Sequence, residues 1–379
     1  MPRKKKRRRG RAFLIALLFF IGVLVAARVA MPRVLRWYVN RTIDQNPLYD
    51  GKIGDIDVAL WRGAYTIKDI RLVKTTGNVP VPFYSSRQLD LALQWDALLH
   101  GKLVGRVLMQ EPELNFVDAP SDAQTQTGAG GPWLKIIQDL FPFRINRAQI
   151  VKGSIHFRAY QSQQPVDVYL SHLDANIDNL SNIRDQTAPL ISTITAQGMA
   201  MDQANFEFNM KLDPFSYRPT FRMGLKLVGL DVTKTNALAR SYGAFDFEKG
   251  YFDLVVEMDA RHGAVEGYVK PLFRDLVVVS VQDVKEDNPV QLFWEAVVGT
   301  VTGVLTNQPR HQFGTLIPVR GDLEGGPQFN ILATVGNVLR NAFIRAYLPR
   351  LNGSQNVEGL EFKPGSVDDP VTSAELNGR

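Results

Sequence analysis

The chain has 379 residues, no cysteine, and 44 Lys plus Arg against 38 Asp plus Glu, with a pI near 9.4. Nine of the basic residues precede residue 32, and no acidic residue does. From residue 32 onward, 44 − 9 = 35 basic residues face 38 acidic ones, a net charge of −3. A body without excess positive charge excludes a duplex-binding domain. The absence of cysteine excludes disulfides, thiolate zinc sites and cysteine nucleophiles.

An apolar run near the N-terminus predicts a membrane anchor over residues 12–31. Its core, Ala12 to Ala30, carries one charge, and as a helix it spans roughly 28 Å, close to the hydrocarbon thickness of a bilayer. The basic tail, residues 1–11, is expected in the cytoplasm with the body across the membrane. Candidate orientation residues are the tail cations and the aromatic pair beyond the run: Arg7, Arg8, Arg9, Arg11, Trp37 and Tyr38. A cleaved signal peptide, with its cleavage site at Val25-Ala26-Ala27, is the alternative.

From about residue 50 onward the apolar residues recur with a period of two, which predicts strands. Clear alternations begin at Ile56, Leu89, Phe206, Met223 and Leu254. One polar and one apolar face per strand favour an antiparallel sheet with one side hidden from water. The fold class is therefore mainly β, with about sixteen strands at roughly 4.8 Å spacing. Alternation alone does not separate a two-sheet sandwich from a single sheet whose apolar face binds a ligand.

Several segments interrupt the alternation. Glycine-containing pairs predict hairpin turns at Arg62-Gly63, Lys152-Gly153, Lys249-Gly250 and His262-Gly263. Small polar residues predict a flexible loop over Ala119–Gly131 and a disordered tail over 364–379. Apolar stripes at helical spacing predict amphipathic C-terminal helices at 289–305 and 334–348. These helices would cap the open end of a sheet or contact a membrane or partner.

Three stretches of the body resemble the AsmA-like family of envelope proteins. Leu89 to Val117 (LDLALQWDALLHGKLVGRVLMQEPELNFV) and Phe143 to Phe157 (FRINRAQIVKGSIHF) resemble successive units of that family. Ser241 to Val279 resembles a branch known only as a domain of unknown function, particularly at Gly250, Glu257, Gly263 and the stretch from Gly267 to Leu272. With the anchor and the terminal helices included, the resemblance covers roughly residues 12 to 350.

The resemblance implies a single-pass inner-membrane protein of Gram-negative bacteria with a periplasmic domain over 40–350. It implies a long, twisted, taco-like β-groove that carries phospholipid acyl chains between membranes and supports outer-membrane maintenance. The implied partners are phospholipid, the inner membrane and an outer-membrane or periplasmic protein that completes the bridge, with no nucleic acid. Alternation supplies the candidate groove residues: Val58, Leu60, Leu91, Leu93, Phe206, Phe208, Met210, Leu225, Leu227, Leu254 and Val256. The alternative is a non-enzymatic scaffold or assembly factor for outer-membrane proteins.

Motifs for catalysis are missing from the sequence. None of the five histidines has metal-ligand spacing, and His156 is expected to face solvent or form a hydrogen bond. There is no nucleophile elbow, phosphate-binding loop or dinucleotide fingerprint. Glu257 would be costly on an apolar face, so we expect it on the wet face. The sequence therefore predicts no enzyme, no cofactor and no metal.

Overall fold

The computed structural model describes an N-terminal helix, a large sheet and one short helix. The described residues are 3–44, 49–59, 63–93, 104–121, 123–126, 144–160, 164–179, 192–213, 216, 218–243, 245–280, 312–314, 316–323 and 360–362. The helices are α1 (Arg3–Asp44) and α2 (Asn236–Gly243). The strands are β1 (Tyr49–Lys52), β2 (Asp55–Ala59), β3 (Ala64–Lys74), β4 (Tyr84–Leu93), β5 (Val104–Asp118), β6 (Arg144–Ala159), β7 (Val166–Asp178), β8 (Ser192–Ala200), β9 (Ala204–Leu212), β10 (Phe221–Asp231), β11 (Phe245–Arg261), β12 (Ala264–Ser280), β13 (Gln312–Gly314), β14 (Ile317–Asp322) and β15 (Leu360–Phe362).

Helix α1 is long and apolar enough to cross a membrane. Its stretch Leu18–Arg41 contains an 18-residue window with a mean hydropathy of 1.9, and no residue of that window is buried inside the protein. Apolar side chains such as Phe19 are largely exposed, at 74% for this one. The predicted basic tail is helical from Arg3 onward and continuous with the apolar run, and the helix passes through Pro32 to end at Asp44.

All fifteen described strands belong to one sheet, which confirms the mainly β prediction. Thirteen of them form a single path in the order β1-β3-β4-β5-β6-β7-β8-β9-β10-β11-β12-β14-β15, while β2 pairs with β3 and β13 pairs with β12. The outermost strands of this path, β1 and β15, do not pair with each other, so the sheet stays open. Twelve steps of about 4.8 Å give a path of roughly 58 Å across the strands.

The sheet is mixed and not wholly antiparallel as predicted, because β5 and β6 run parallel. Every other pair of described strands is antiparallel. A parallel neighbour requires a crossover of about a dozen residues or more, whereas a hairpin needs only two. Residues 119–143 separate the two strands and provide that length. The alternation of single strands carries no information about direction, so the sequence did not reveal this junction.

Residues 123–126 fold back on the end of β5. Gln126 forms an isolated antiparallel bridge with Val117, with backbone N–O distances of 2.7 and 2.8 Å. Its side chain is buried and donates from Nε2 to the carbonyl oxygen of Asn115 at 2.8 Å. The described part of the predicted flexible loop, Ala119–Gly131, is therefore hydrogen-bonded to the sheet.

Two of the four predicted hairpin turns are correct, and two are wrong. Gly63 lies between β2 and β3, and His262-Gly263 joins β11 to β12. Lys152 lies inside β6, where it has a positive φ of 54° and its backbone N–H donates to Asp174 Oδ1 at 2.9 Å. Gly250 lies inside β11 at φ 138°, where an added Cβ would lie 2.9 Å from the Leu276 backbone. Both positions are β-bulges with register shifts, which bend a strand without ending it.

The end of α1 packs against the first strands of the sheet. Val39 and Ile43 are 6% and 3% exposed, and they share one apolar cluster with residues of β2 to β6. The backbone N–H of Ile53 also donates to Asn40 Oδ1 at 3.4 Å. Helix α1 therefore continues from its apolar stretch directly into the core of the sheet.

Helix α2 packs against both β7 and β11, which are four places apart in the sheet. Asn236 fixes it to β11: Nδ2 donates to the Phe247 carbonyl at 2.9 Å, and Oδ1 accepts from the Phe247 N–H at 2.8 Å. Leu238 and Ala239 are buried in the same cluster as Phe252. The short helix thus covers one side of the apolar core where β10 passes into β11.

The predicted helices at 289–305 and 334–348, the predicted tail at 364–379 and Leu60 lie outside the described residues.

Candidate functional site: the dry face of the sheet

The strand register joins the apolar residues of twelve strands into one continuous row. Each member lies opposite the next on the neighbouring strand, so all their side chains share one face of the sheet, which we call the dry face. Row one runs from β2 to β14: Val58, Tyr65, Leu91, Val107, Ala148, Ile177, Ile194, Met210, Met223, Met258, Gly267 and Val319.

A second row lies beside the first on the same face, displaced by two residues on each strand. Row two is Ile56, Ile67, Leu89, Met109, Ile150, Ala175, Ala196, Phe208, Leu225, Val256 and Val269, and the register continues to Ile317, whose side chain is not described. Neither row contains a charged residue, and the single polar group is the Tyr65 hydroxyl. The dry face is therefore an apolar path at right angles to the strands.

The two rows differ in how well they are covered. Row one is nearly closed to solvent: Leu91 is 1% exposed, and Met210, Met223 and Met258 are each 2% exposed. Row two is partly exposed in its middle, at Ala196, Phe208 and Leu225 on β8 to β10. The accessible part of the dry face thus lies along row two.

The sequence-predicted groove residues fall on this face wherever the structure describes their side chains. Val58, Leu91 and Met210 lie in row one, and Phe208, Leu225 and Val256 lie in row two. Three more predicted residues lie opposite one another, two residues beyond row two on β9, β10 and β11: Phe206, Leu227 and Leu254. Leu93 lies in β4, opposite Gly105, and its side chain is not described.

Sequence reasoning omitted several members of the rows. Met223 and Met258 belong to alternations that the sequence displays, and Met109 and Ile150 continue alternations in β5 and β6. The period of two was a sufficient signal for all of them. Only the register, however, places Met223 directly between Met210 and Met258.

The opposite, wet face carries polar pairs between neighbouring strands. Thr66 Oγ1 donates to Asp90 Oδ1 at 2.6 Å, and Gln149 Nε2 donates to Asn176 Oδ1 at 2.8 Å. Glu257 is exposed on this face, as predicted, and lies opposite Tyr268. Burial, followed by the Glu257 carboxylate, raises the pKa of Tyr268. A polar face of this kind keeps the sheet soluble while the dry face stays apolar.

A second polar group of the wet face surrounds His156. Its Nδ1 lies 2.8 Å from Asp167 Oδ1, and Arg158 Nε donates to Asp167 Oδ2 at 3.2 Å. Burial tends to raise the pKa of Asp167, but the bonds and charges of His156 and Arg158 outweigh it and leave that pKa lowered. The hydrogen-bonded role predicted for His156 is confirmed.

A neighbouring pair extends this group. Tyr169 stacks on His156 with ring centroids 5.2 Å apart, and its hydroxyl donates to Asp202 Oδ2 at 2.7 Å. The bond to Asp202, with burial, raises the pKa of Tyr169 to about 12. Among the described residues, no group of three or more His, Cys, Asp or Glu side chains could hold a metal ion.

A scan against protein-family models and a search of curated proteins both find no match for the chain. The features that bear on function are the apolar helix α1, the two-faced sheet and the apolar rows.

Proposed function

We propose that the protein binds phospholipid acyl chains along the dry face and contributes to lipid transfer between the membranes of the bacterial envelope. In this proposal α1 anchors the chain in the inner membrane, with the basic tail in the cytoplasm and the sheet in the periplasm. The observation that carries the proposal is the pair of apolar rows, which cross twelve strands without a charge. The AsmA-like resemblance of residues 89–117, 143–157 and 241–279 supports the same function.

The form of the rows suits a linear apolar ligand. Eleven steps of about 4.8 Å make the path roughly 53 Å long, while its width is set by only two or three residues per strand. An acyl chain contributes about 0.8 kcal/mol for each buried CH₂, so partial burial of two chains could offset their extraction from a bilayer. Binding and release would require no catalytic group.

The position of α1 supports entry of lipid from the membrane. Met31 and Leu35 are partly buried against the cluster that contains Val39, Ile43 and the start of both rows. Apolar side chains of one cluster therefore extend from the helix to Ile56 and Val58 on β2. In this proposal an acyl chain that left the bilayer beside α1 would pass the end of the dry face that α1 covers and bind along the partly exposed row two on β8 to β10.

Photocrosslinking in cells tests the proposal, because neighbouring residues point to opposite faces. A crosslinker at Phe208 or Leu225, which are partly exposed on the dry face, is expected to capture phospholipid. The matched controls are Glu207 and Lys226, which are exposed on the wet face of the same strands. Capture of protein neighbours alone at Phe208 and Leu225 would refute acyl-chain binding.

A second candidate is a non-enzymatic scaffold or assembly factor for outer-membrane proteins. The near-complete burial of row one favours it, because a closed core has little room for a ligand. Mass spectrometry of the purified full chain separates the two functions. Stoichiometric phospholipid supports the first candidate, and a lipid-free chain that co-purifies with an assembly machine supports the second.

A further inference from the structure

The last turns of α1 have two opposite faces. Met31, Leu35, Val39 and Ile43 recur every four residues and form the stripe that packs on the sheet. A residue two positions along a helix points about 200° away, so the stripe that starts at Arg33 faces away from the sheet. The helix is therefore held by one side, while the other side remains available to the surroundings.

The available side carries arginines around an aromatic ring. Arg33, Arg36, Trp37 and Arg41, which we call the collar, are all exposed, with Trp37 at 60%. The Arg41 guanidinium carbon lies 5.3 Å from the centroid of the Trp37 ring. Arg33 Nη1 donates to the Val29 carbonyl at 3.3 Å, which directs this side chain back along the helix. Arg33 and Arg41 are separated by about 12 Å along the axis.

The collar charges are not compensated by ion pairs within the part of the chain that the structure describes. Asp44 is the first acidic residue of the chain, and no collar arginine forms an ion pair among the residues that the structure describes. These arginines also oppose the charge bias by which the basic tail would orient α1, since they lie at the other end of the apolar run. Because this cluster of positive charge works against the orientation of α1, we expect it to bind an anionic ligand.

The ligand chemistry follows from the side chains. A guanidinium presents a planar fork of donors that matches a phosphate group, and an exposed tryptophan favours the boundary between hydrocarbon and headgroups. The apolar run Ala12–Ala30 is about 28 Å long as a helix, close to the hydrocarbon thickness of about 30 Å, so the collar begins about 5 Å beyond its end. Because the last turns also contact the sheet, the collar lies at the headgroup level when the apolar run spans the bilayer.

We propose that the collar binds the headgroup phosphates of anionic phospholipids in the leaflet that faces the sheet. An acidic protein segment would satisfy the charges but not the exposed Trp37 ring, because tryptophan favours the lipid boundary. The inference shares with the proposed function the placement of α1 in a membrane. It does not depend on the loading of the dry face with acyl chains.

Fluorescence quenching of Trp37 by brominated lipids tests the inference on the full chain. The protein is reconstituted in phosphatidylcholine bilayers that contain equal mole fractions of either brominated phosphatidylglycerol or brominated phosphatidylcholine. The Trp37→Phe variant is measured in parallel, and subtracting its fluorescence from that of the unaltered protein isolates the signal of Trp37. We expect phosphatidylglycerol to be enriched about fivefold or more at Trp37, the effect of a single cation near an anionic surface. High salt should reduce this enrichment.

The matched variants remove three positive charges each. Arg33→Gln/Arg36→Gln/Arg41→Gln is expected to abolish the preference for phosphatidylglycerol. Arg147→Gln/Arg222→Gln/Arg261→Gln, whose exposed arginines lie on the sheet, is expected to preserve it. Equal quenching by both lipids in the unaltered protein overturns the inference, as does a preference that survives in the collar variant or disappears in both variants. Crosslinking of the collar to an acidic protein, without a lipid preference, also overturns it.

These experiments can refute the collar inference and the proposed function independently of each other. If Trp37 shows no lipid preference while Leu225 still captures phospholipid, the collar inference is wrong and the proposed function survives. If Trp37 shows the preference while Leu225 captures only protein, the proposed function is wrong and the collar inference survives.

Discussion

Two parts of the dry face have the same topology but different packing. The first panel, formed by both rows on β2 to β5, is built mainly from Ile, Val and Leu and is covered by the end of α1. The second panel, formed by both rows on β8 to β12, contains the methionines of row one and the partly exposed Phe208 and Leu225 of row two. Branched aliphatic side chains pack stiffly, whereas Met and Phe present larger and more adaptable surfaces. The difference indicates a structural joint in the first panel and a candidate binding surface in the second.

The largest expected effect is on unfolding free energy, when leucine is replaced by alanine once in each panel. Leu91→Ala removes a side chain that is 1% exposed and leaves a cavity, so we expect a loss of about 3 kcal/mol in unfolding free energy. Leu225→Ala removes a partly exposed side chain and should cost about 1 kcal/mol. Chemical denaturation of the two variants measures this contrast.

The same pair separates stability from ligand binding. Leu225→Ala should lower the phospholipid that co-purifies with each folded molecule, because a lining contact is lost. Leu91→Ala should leave that ratio unchanged. If both variants lower the ratio equally, the distinction between the panels is wrong.

The spacing of strands in the second panel depends on Gly267. An added Cβ there would lie 2.8 Å from the Met258 Cα and against the Glu257 carbonyl oxygen, so β11 and β12 must move apart. We expect Gly267→Ala to cost about 2 kcal/mol, measured as a lower Tm. The matched control is Gly224→Ala, whose Cβ would meet the flexible Asn209 side chain on the wet face at 3.1 Å. Equal losses in the two variants would contradict close packing as the cause.

The attachment of α2 can be weakened without altering either row. Asn236→Ala removes both hydrogen bonds to the Phe247 backbone, and we expect a loss of about 1–2 kcal/mol. Hydrogen exchange of the Phe247 amide should become faster than in Ser241→Ala, which removes one exposed bond on the same helix. Unchanged exchange at Phe247 would show that α2 is held by its apolar contacts alone.

The smallest expected effect is a change in the pKa of one tyrosine. Tyr65 and Tyr169 have similarly raised pKa values, but the causes of the two shifts differ. Burial raises the pKa of Tyr65, in the first panel, to about 12, whereas the bond to Asp202 is the main cause for Tyr169 on the wet face. We expect Asp202→Asn to lower the pKa of Tyr169 and to leave that of Tyr65 unchanged. NMR titration of ring-labelled tyrosine, assigned with Tyr→Phe variants, measures both values.

The direction of the stability change follows from the sign of these shifts. Both pKa values are higher in the folded chain than the ordinary value of 10.0. The corresponding stabilisation is complete below about pH 10 and is lost as the pH rises toward about 12. For Asp202, whose pKa is lowered by bonds from Ser171 and then Tyr169, the stabilisation is instead lost as the pH falls through that lowered value. A loss of alkaline stability that persists unchanged in Asp202→Asn would rule out the Tyr169 contribution.

Sequence patterns predicted the local features of the fold well. The long apolar N-terminal helix, the strands at residues 56, 89, 206, 223 and 254, and the wet position of Glu257 all follow from hydropathy with a period of two or from length. The same reasoning was wrong at Lys152 and Gly250, because a glycine pair serves a bulge as well as a turn. The difference between the two is decided by whether the partner strand continues, which is a non-local property.

By itself, the sequence determined that one face of each alternating strand, such as those beginning near residues 56, 89, 206, 223 and 254, is apolar and that a basic tail precedes an apolar helix. These are local consequences of side-chain order and need no knowledge of neighbours. The tertiary structure decided which strands are adjacent, where β5 and β6 become parallel, and how Val58 and Val319 come to belong to one row. It also decided that the end of α1 is buried on one side and exposes its arginines on the other. Strand pairing and helix docking join residues far apart in the chain, so the free energy of those contacts depends on two segments together and cannot be predicted from either one alone.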